Sequence, residues 1–352
     1  MIFRCIVYGI NKISAQGNDD KGSVHLPINT FAIRFTNLRK GVAQLANQIL
    51  TVLRGGWTLL RSIAVIFSSI ATIISSLLPL FIDATMTLGD LLMLFALLAI
   101  AAFIIHGILT HALNDYTDFQ TGTDAHSPAI LSGGSRVVQK GMISLKGLRQ
   151  LGKWLTIFLL IIAVLLTLFS QYKLAILLLI GIWSATSYSL PPLRLSYHPF
   201  LGEWLSLFPA ILFLGFAGPW IVLDSIPLWA LQNAVINALF CMAWVMVHHI
   251  PDLEADKRAI PMKRTSVVWF VDTFGLYYAR FPALIYLLVT GLWGLWIGFD
   301  RFWAAACLFL TISIGGFFVM KMNVTNYEQV TVCEKILLFL AMITAICLGI
   351  FV

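Results

Sequence analysis

Two short acidic segments, NDYTDFQTGTD at 114–124 and PDLEAD at 251–256, stand at the ends of hydrophobic runs in a chain that is otherwise almost wholly apolar. Asn114 and Asp118 are four residues apart, and so are Asp252 and Asp256. On a helix that spacing stacks both side chains on one face. Asp115 and Asp124 extend the first cluster, whereas Glu254, two residues from each Asp of its pair, should point elsewhere. Hard oxygen donors of this kind suit Mg2+, which keeps some waters and is commonly shared between carboxylates and the phosphates of a substrate. Two such half-sites facing each other would hold a diphosphate between them. Cations follow each cluster: Arg136 and Lys140 after the first, Lys257, Arg258, Lys263 and Arg264 after the second.

The elements that position these residues must be membrane helices. Of 352 residues, 59% are hydrophobic and 11% charged, and the mean hydropathy is +0.90. That leaves too little polar surface to cover a soluble globule. Runs long enough to span a bilayer fall at 59–82, 88–112, 154–170, 172–190, 204–223, 228–250, 281–299, 302–320 and 336–352. The expected fold is therefore all-α, a polytopic bundle of nine transmembrane helices around a central cavity. With that count, 21 of the 23 Lys and Arg fall on the side that carries the N-terminus and both acidic segments, and only Lys173 and Arg301 fall on the other. The asymmetry predicts a multi-pass cell-membrane protein whose N-terminus and acidic loops are cytoplasmic.

The net charge of +7 thus describes one rim, suited to anionic headgroups or a phosphorylated substrate. No basic patch interleaved with aromatics points to nucleic acid. The five cysteines share no CxxC or metal-ligand spacing, and no disulfide is expected. Residues 1–55 read as an N-terminal cytoplasmic tail, polar over 11–30, with apolar residues at helical intervals among Arg and Lys over 31–54, a pattern that fits a helix lying on the membrane surface. Residues 56–352 form the membrane domain. MIFRCIVYGI at the start is too short for a signal-peptide core.

On these motifs the chain resembles the UbiA superfamily of intramembrane prenyltransferases, whose two Asp-rich motifs follow helices two and six of a nine-helix bundle. NDYTD fits that family's NDxxD, and PDLEADKRAIPMKRT resembles its DxxxD followed by a basic stretch. YSLPPLRLSYHPFLGE at 188–203 is similar to the string the family carries after its fourth helix. There are departures. Where many members have a further acid four residues after NDxxD, this chain has Gly122, and the acid stands at Asp124. LSGGSRVVQKGMIS at 131–144 resembles the branch that prenylates 1,4-dihydroxy-2-naphthoate in menaquinone biosynthesis, whereas His248 and His249 match no family motif.

The resemblance implies Mg2+ as cofactor, held by Asn114, Asp118, Asp252 and Asp256 with Asp115 and Asp124 as further ligands, binding the diphosphate of a polyprenyl donor. Arg136, Lys140, Arg194 and Lys263 are candidates to stabilise the leaving diphosphate, and the ring faces of Tyr188 and Tyr197 to stabilise an allylic cation. The partners would be polyprenyl diphosphate, a small aromatic acceptor and membrane lipid. Two alternatives remain open: a related prenyltransferase or membrane terpene cyclase using the same site, and a secondary transporter, although transporters place ionisable groups near the midplane on broken helices. His106, His111 and His248 read as structural partners rather than catalysts.

Overall fold

The computed structural model describes residues 63–83, 86–128 and 134–352, together with Gln44, Leu50 and Thr51. The expectations for the polar tail and the surface segment within 1–55 fall outside the described residues, but for those three. The chain divides into Met1–Thr51 and Val52–Val352, and the helical bundle belongs wholly to the second.

The long helices are α1 (Ile63–Ile82), α2 (Leu88–Thr121), α3 (Leu145–Leu168), α4 (Tyr172–Ser189), α5 (Glu203–Leu223), α6 (Leu228–His248), α7 (Leu276–Ile297), α8 (Phe302–Lys321) and α9 (Tyr327–Ile350). Seven of them, all but α1 and α4, are long and apolar enough to cross a membrane. Each hydropathy run overlaps one of these helices, residues 59–62 of the first lying outside the described ones, and α2, α3 and α9 extend well beyond the runs that announced them. Starts are set by side-chain caps that satisfy orphan amides. Thr87 accepts from Asp90 N, Ser144 from Gly147 N and Asn326 from Gln329 N.

Neighbouring helices pack in sequence around the bundle, and α9 closes the ring by packing on α1. α6 is the exception to a lipid-facing arrangement. It packs against α5, α7 and α9 and is buried on nearly every face. Small residues such as Ala230, Ala234, Ala238 and Ala243, all 0% exposed, let its neighbours approach closely. By contrast α3 turns Trp154, Phe158, Ile161 and Leu168 outward, an apolar face suited to hydrocarbon.

Two helices change register where they border the interior. Phe103–Leu109 of α2 and Glu203–Leu207 of α5 are π turns. Such turns recur at functional sites because the extra residue re-aims the side chains that follow. Thr110 Oγ1, just after the first of them, donates back to Ile105 O at 2.9 Å.

The two cations on the far side are both engaged. Lys173 Nζ donates to Trp220 O at 2.8 Å and pairs with Asp224 at the end of α5. Arg301 donates to Leu348 O and Phe351 O at the end of α9 and to Asn233 Oδ1. Both meet the negative end of a helix dipole.

Candidate active site

α2 is 34 residues long, about 50 Å at 1.5 Å per residue, which carries its last turns past a hydrocarbon core of about 30 Å. NDYTD occupies those turns. Gly122, at φ 80°, caps the helix in the left-handed region, a conformation that favours glycine. That is why the fourth-spaced acid is absent: the helix has ended, and Asp124 enters from the next turn, Thr123–His126.

That short turn packs on Leu253–Arg258, the helix of the second motif, and Ile260 N donates to Thr121 O at 2.9 Å. The two acidic tips therefore face each other. Between them stands Lys263, 7% exposed, whose Nζ lies 3.2 and 3.3 Å from the Asp118 oxygens and 3.7 Å from Asp256 Oδ1. Asn114 Nδ2 donates to Asp118 Oδ2 at 2.8 Å, confirming the i, i+4 stack, and Ser189 Oγ donates to Asn114 Oδ1 at 3.2 Å. Glu254 is exposed, as its position in the pattern requires.

The segment after the first motif folds back over the acids. Ser127 Oγ donates to Asp252, Ser135 Oγ to Asp115, and Gln139 Nε2 to Asp124 at 3.1 Å. Arg136 donates to the Ser127 carbonyl and so braces the same loop. Gly134, at φ 63°, lies so close that a Cβ there would stand 2.5 Å from Asp124 Oδ1.

Negative charge is in excess here. Asp115, Asp118, Asp124 and Asp256 are each no more than 6% exposed, against the single buried ammonium of Lys263. Burial pushes the Asp256 carboxyl well above the usual carboxylate range against the pull of Lys263, and Asp252 rises for the same reason against its bond from Ser127. Asp124 is raised to about 7, first by burial and then by Asp118 and Asp115. Burial would lower Lys263, but Asp118 and Asp256 outweigh it and hold the ammonium well above its ordinary value. Asp256 Oδ1 is buried with no hydrogen bond. An acid-rich, oxygen-only donor set short of positive charge fits a hard divalent cation. Among the described residues no three Asp, Glu, His or Cys close around one point, so the set fits Mg2+ completed by substrate phosphates rather than an all-protein cage.

Asn114, Asp115, Asp118, Asp252 and Lys263 line one cavity of about 220 Å3, and Tyr188 lines it too. Its apolar wall comes from Leu207, Ala210, Ile211 and Val245. Other expected residues lie around rather than on it. Tyr197 donates to Thr121 Oγ1, and its ring is faced by Arg194 at 5.5 Å and Lys263 at 5.9 Å, so its π face already meets cations. Lys140 is exposed beyond the bracing loop.

The structure adds residues that the sequence did not single out. Ser127 and Ser135 carry the carboxylates. Glu334, 1% exposed, lines the cavity and meets His248 Nδ1 at 2.7 Å. Its signal was available: Val330, Cys333, Glu334 and Leu337 are all buried at helical spacing on α9. A hydropathy boundary at 336 had left Glu334 outside the span.

The model of the UbiA prenyltransferase family matches residues 70–343. The chain belongs to the UbiA prenyltransferase family. In fold it is similar to a UbiA homolog from Archaeoglobus fulgidus, solved bound to GPP and Mg2+, at a TM-score of 0.51 and 16% identity over 86% of this chain and 99% of that one. No curated protein sequence matches the chain.

Proposed function

We propose that this chain transfers a polyprenyl group from polyprenyl diphosphate to an aromatic acceptor in a Mg2+-dependent reaction, the acceptor being 1,4-dihydroxy-2-naphthoate in menaquinone biosynthesis. The observation that carries the donor half is Lys263, whose ammonium contacts Asp118 of the first motif and Asp256 of the second. GPP and Mg2+ in the Archaeoglobus fulgidus homolog support it. The naphthoate assignment is supported by the Gly-Gly-Ser-Arg segment, whose Ser135 and Gly134 stand against Asp115 and Asp124. Nine spans with the acids on the cytoplasmic side of the cell membrane belong to the same reading.

Asn114, Asp118, Asp252 and Asp256 would hold Mg2+, with Asp115 and Asp124 behind them. When bound, the ion neutralises negative charge on the diphosphate oxygens. Lys263 supplies a preorganised positive charge at the same place, where it acts on the charge that develops as the allylic C–O bond breaks. Arg136, Lys140 and Arg194 add to the positive rim. The Tyr188 ring meets the allylic cation, and Leu207, Ala210, Ile211 and Val245 keep water from it. A ring carbon of the acceptor then forms the new C–C bond.

The test uses purified full-length protein in detergent with Mg2+, a polyprenyl diphosphate and a panel of aromatic acceptors, with products identified by mass. Asp118→Ala and Asp252→Ala should each abolish diphosphate release while the protein remains folded and monodisperse. Full turnover by both variants would remove these residues from the site, and a cyclised product would replace transfer by cyclisation.

A further inference from the structure

The cavity has a second polar group that acid-centred chemistry leaves unused. His248, the last residue of α6, and Glu334, two turns into α9, pair at 2.7 Å although 86 residues separate them. The Glu334 side chain is 1% exposed and that of His248 28%, so the carboxylate is sealed behind an imidazole that lines the cavity. An ionised carboxylate only accepts, so His248 Nδ1 carries the proton and donates it. In the neutral ring Nε2 is then an acceptor, and no hydrogen bond reaches it from the described residues.

Around this pair lie four buried polar atoms without a hydrogen-bond partner: His111 Nε2, Trp244 Nε1, His249 Nδ1 and Glu334 Oε2. All four belong to residues that line the cavity. Buried polar groups are almost always satisfied; Glu334 Oε2 is sealed behind the imidazole, and the other three unsatisfied atoms, on residues that line the same cavity, mark a place where the partners come with a ligand. The Trp244 and His248 rings, 5.7 Å apart at 37°, offer flat apolar faces beside those atoms. Ionisable side chains inside a membrane bundle are costly to keep without a use. A planar molecule bearing hydroxyl groups satisfies both the faces and the orphan atoms.

We infer that the wall formed by His111, Trp244, His248, His249 and Glu334 binds a hydroxylated aromatic acceptor, that His248 Nε2 takes the proton of its ring hydroxyl, and that Glu334 is the positioning residue for that imidazole. This rests on the prenyl-transfer reading above. The O–H bond breaks toward Nε2, and its electron pair moves through the ring to the carbon that bonds the allylic carbon. The donor C–O bond breaks with its pair leaving on the diphosphate. The resulting dienone becomes aromatic again when that ring carbon sheds its former substituent, as H+ or, from a carboxylate, as CO2, and Nε2 returns the proton to the ring oxygen.

The experiment uses full-length protein in detergent with geranyl diphosphate, Mg2+ and two acceptors, 1-hydroxy-2-naphthoate and a ring-fluorinated analogue with a more acidic hydroxyl. His248→Gln and Glu334→Gln should each lower kcat for transfer at least 100-fold, while the thermal shift given by geranyl diphosphate plus Mg2+ stays as in wild type. The fluorinated acceptor should recover at least tenfold of the His248→Gln loss, which a purely structural role would not allow. Variants that match a productive wild type, or that lose activity equally with both acceptors, would overturn the inference and leave the transfer reading standing. A wild type that releases diphosphate but prenylates neither hydroxyarene would remove the transfer reading and this inference with it.

Discussion

The two polar regions of the one cavity are built in opposite ways. Around the acids, four of the five carboxylates have a hydrogen-bond donor, Ser135 for Asp115, Lys263 for Asp118, Gln139 for Asp124 and Ser127 for Asp252, while Asp256 faces the Lys263 ammonium at 3.7 Å. Those neighbours come from loops, and what the region lacks is positive charge. Around His248 the groups sit on helices or, for His249, on a helix cap, the bonds made are that to Glu334 and that between Tyr188 and His249, and what the region lacks among the described residues is hydrogen-bond partners. A deficit of charge selects an ion and an anion to accompany it. A deficit of hydrogen bonds selects a neutral polar molecule with a definite shape. On the function proposed above, one chamber would receive two unlike substrates.

That contrast can be broken from either side. The largest effect should come from Lys263→Met, which removes the one cation shared by both motifs: diphosphate release should fall about 100- to 1,000-fold, the usual loss for one preorganised electrostatic contact, with the KM for the acceptor unchanged. Ser135→Ala should be milder. Removing the Ser135 hydroxyl from Asp115 should raise the Mg2+ concentration needed for half-maximal diphosphate release about 10- to 100-fold, as measured by metal titration. Trp244→Phe should be the smallest, raising the acceptor KM about fivefold for one lost neutral hydrogen bond of about 1 kcal/mol and leaving the KM for prenyl diphosphate as it was. If Trp244→Phe changed the donor KM instead, the division of the cavity into two regions would be wrong.

Much of this arrangement was legible in the sequence. The i, i+4 pairing of Asn114 with Asp118 and the outward Glu254 follow from spacing alone, and hydropathy puts both motifs at helix ends, whereas their facing is a tertiary contact that the fold supplies. What stayed hidden depended on chain reversal. The donors to the carboxylates, Ser127 and Ser135, lie 125 and 20 residues from the acids they serve, and no local period relates them. Gly122 read as a missing acid because the left-handed cap that explains it is a property of backbone geometry. Tyr197 read as free to meet a carbocation because its contact with Lys263 joins distant segments, and because Arg194, close in sequence, reaches the same ring only through the left-handed turn at that residue. Glu334 was misplaced by averaging, since hydropathy windows discard the polar opening turns of a helix such as α9.

Lys173 and Arg301 were the two exceptions to an otherwise one-sided distribution of cations, and both turn out to be tied to the ends of helices. Neither leaves a loose ammonium or guanidinium on that face to compete with the basic rim opposite. The same two contacts fasten the ends of α5 and α9 to their neighbours, so each of these charges serves as a clasp on a helix end rather than as a surface cation.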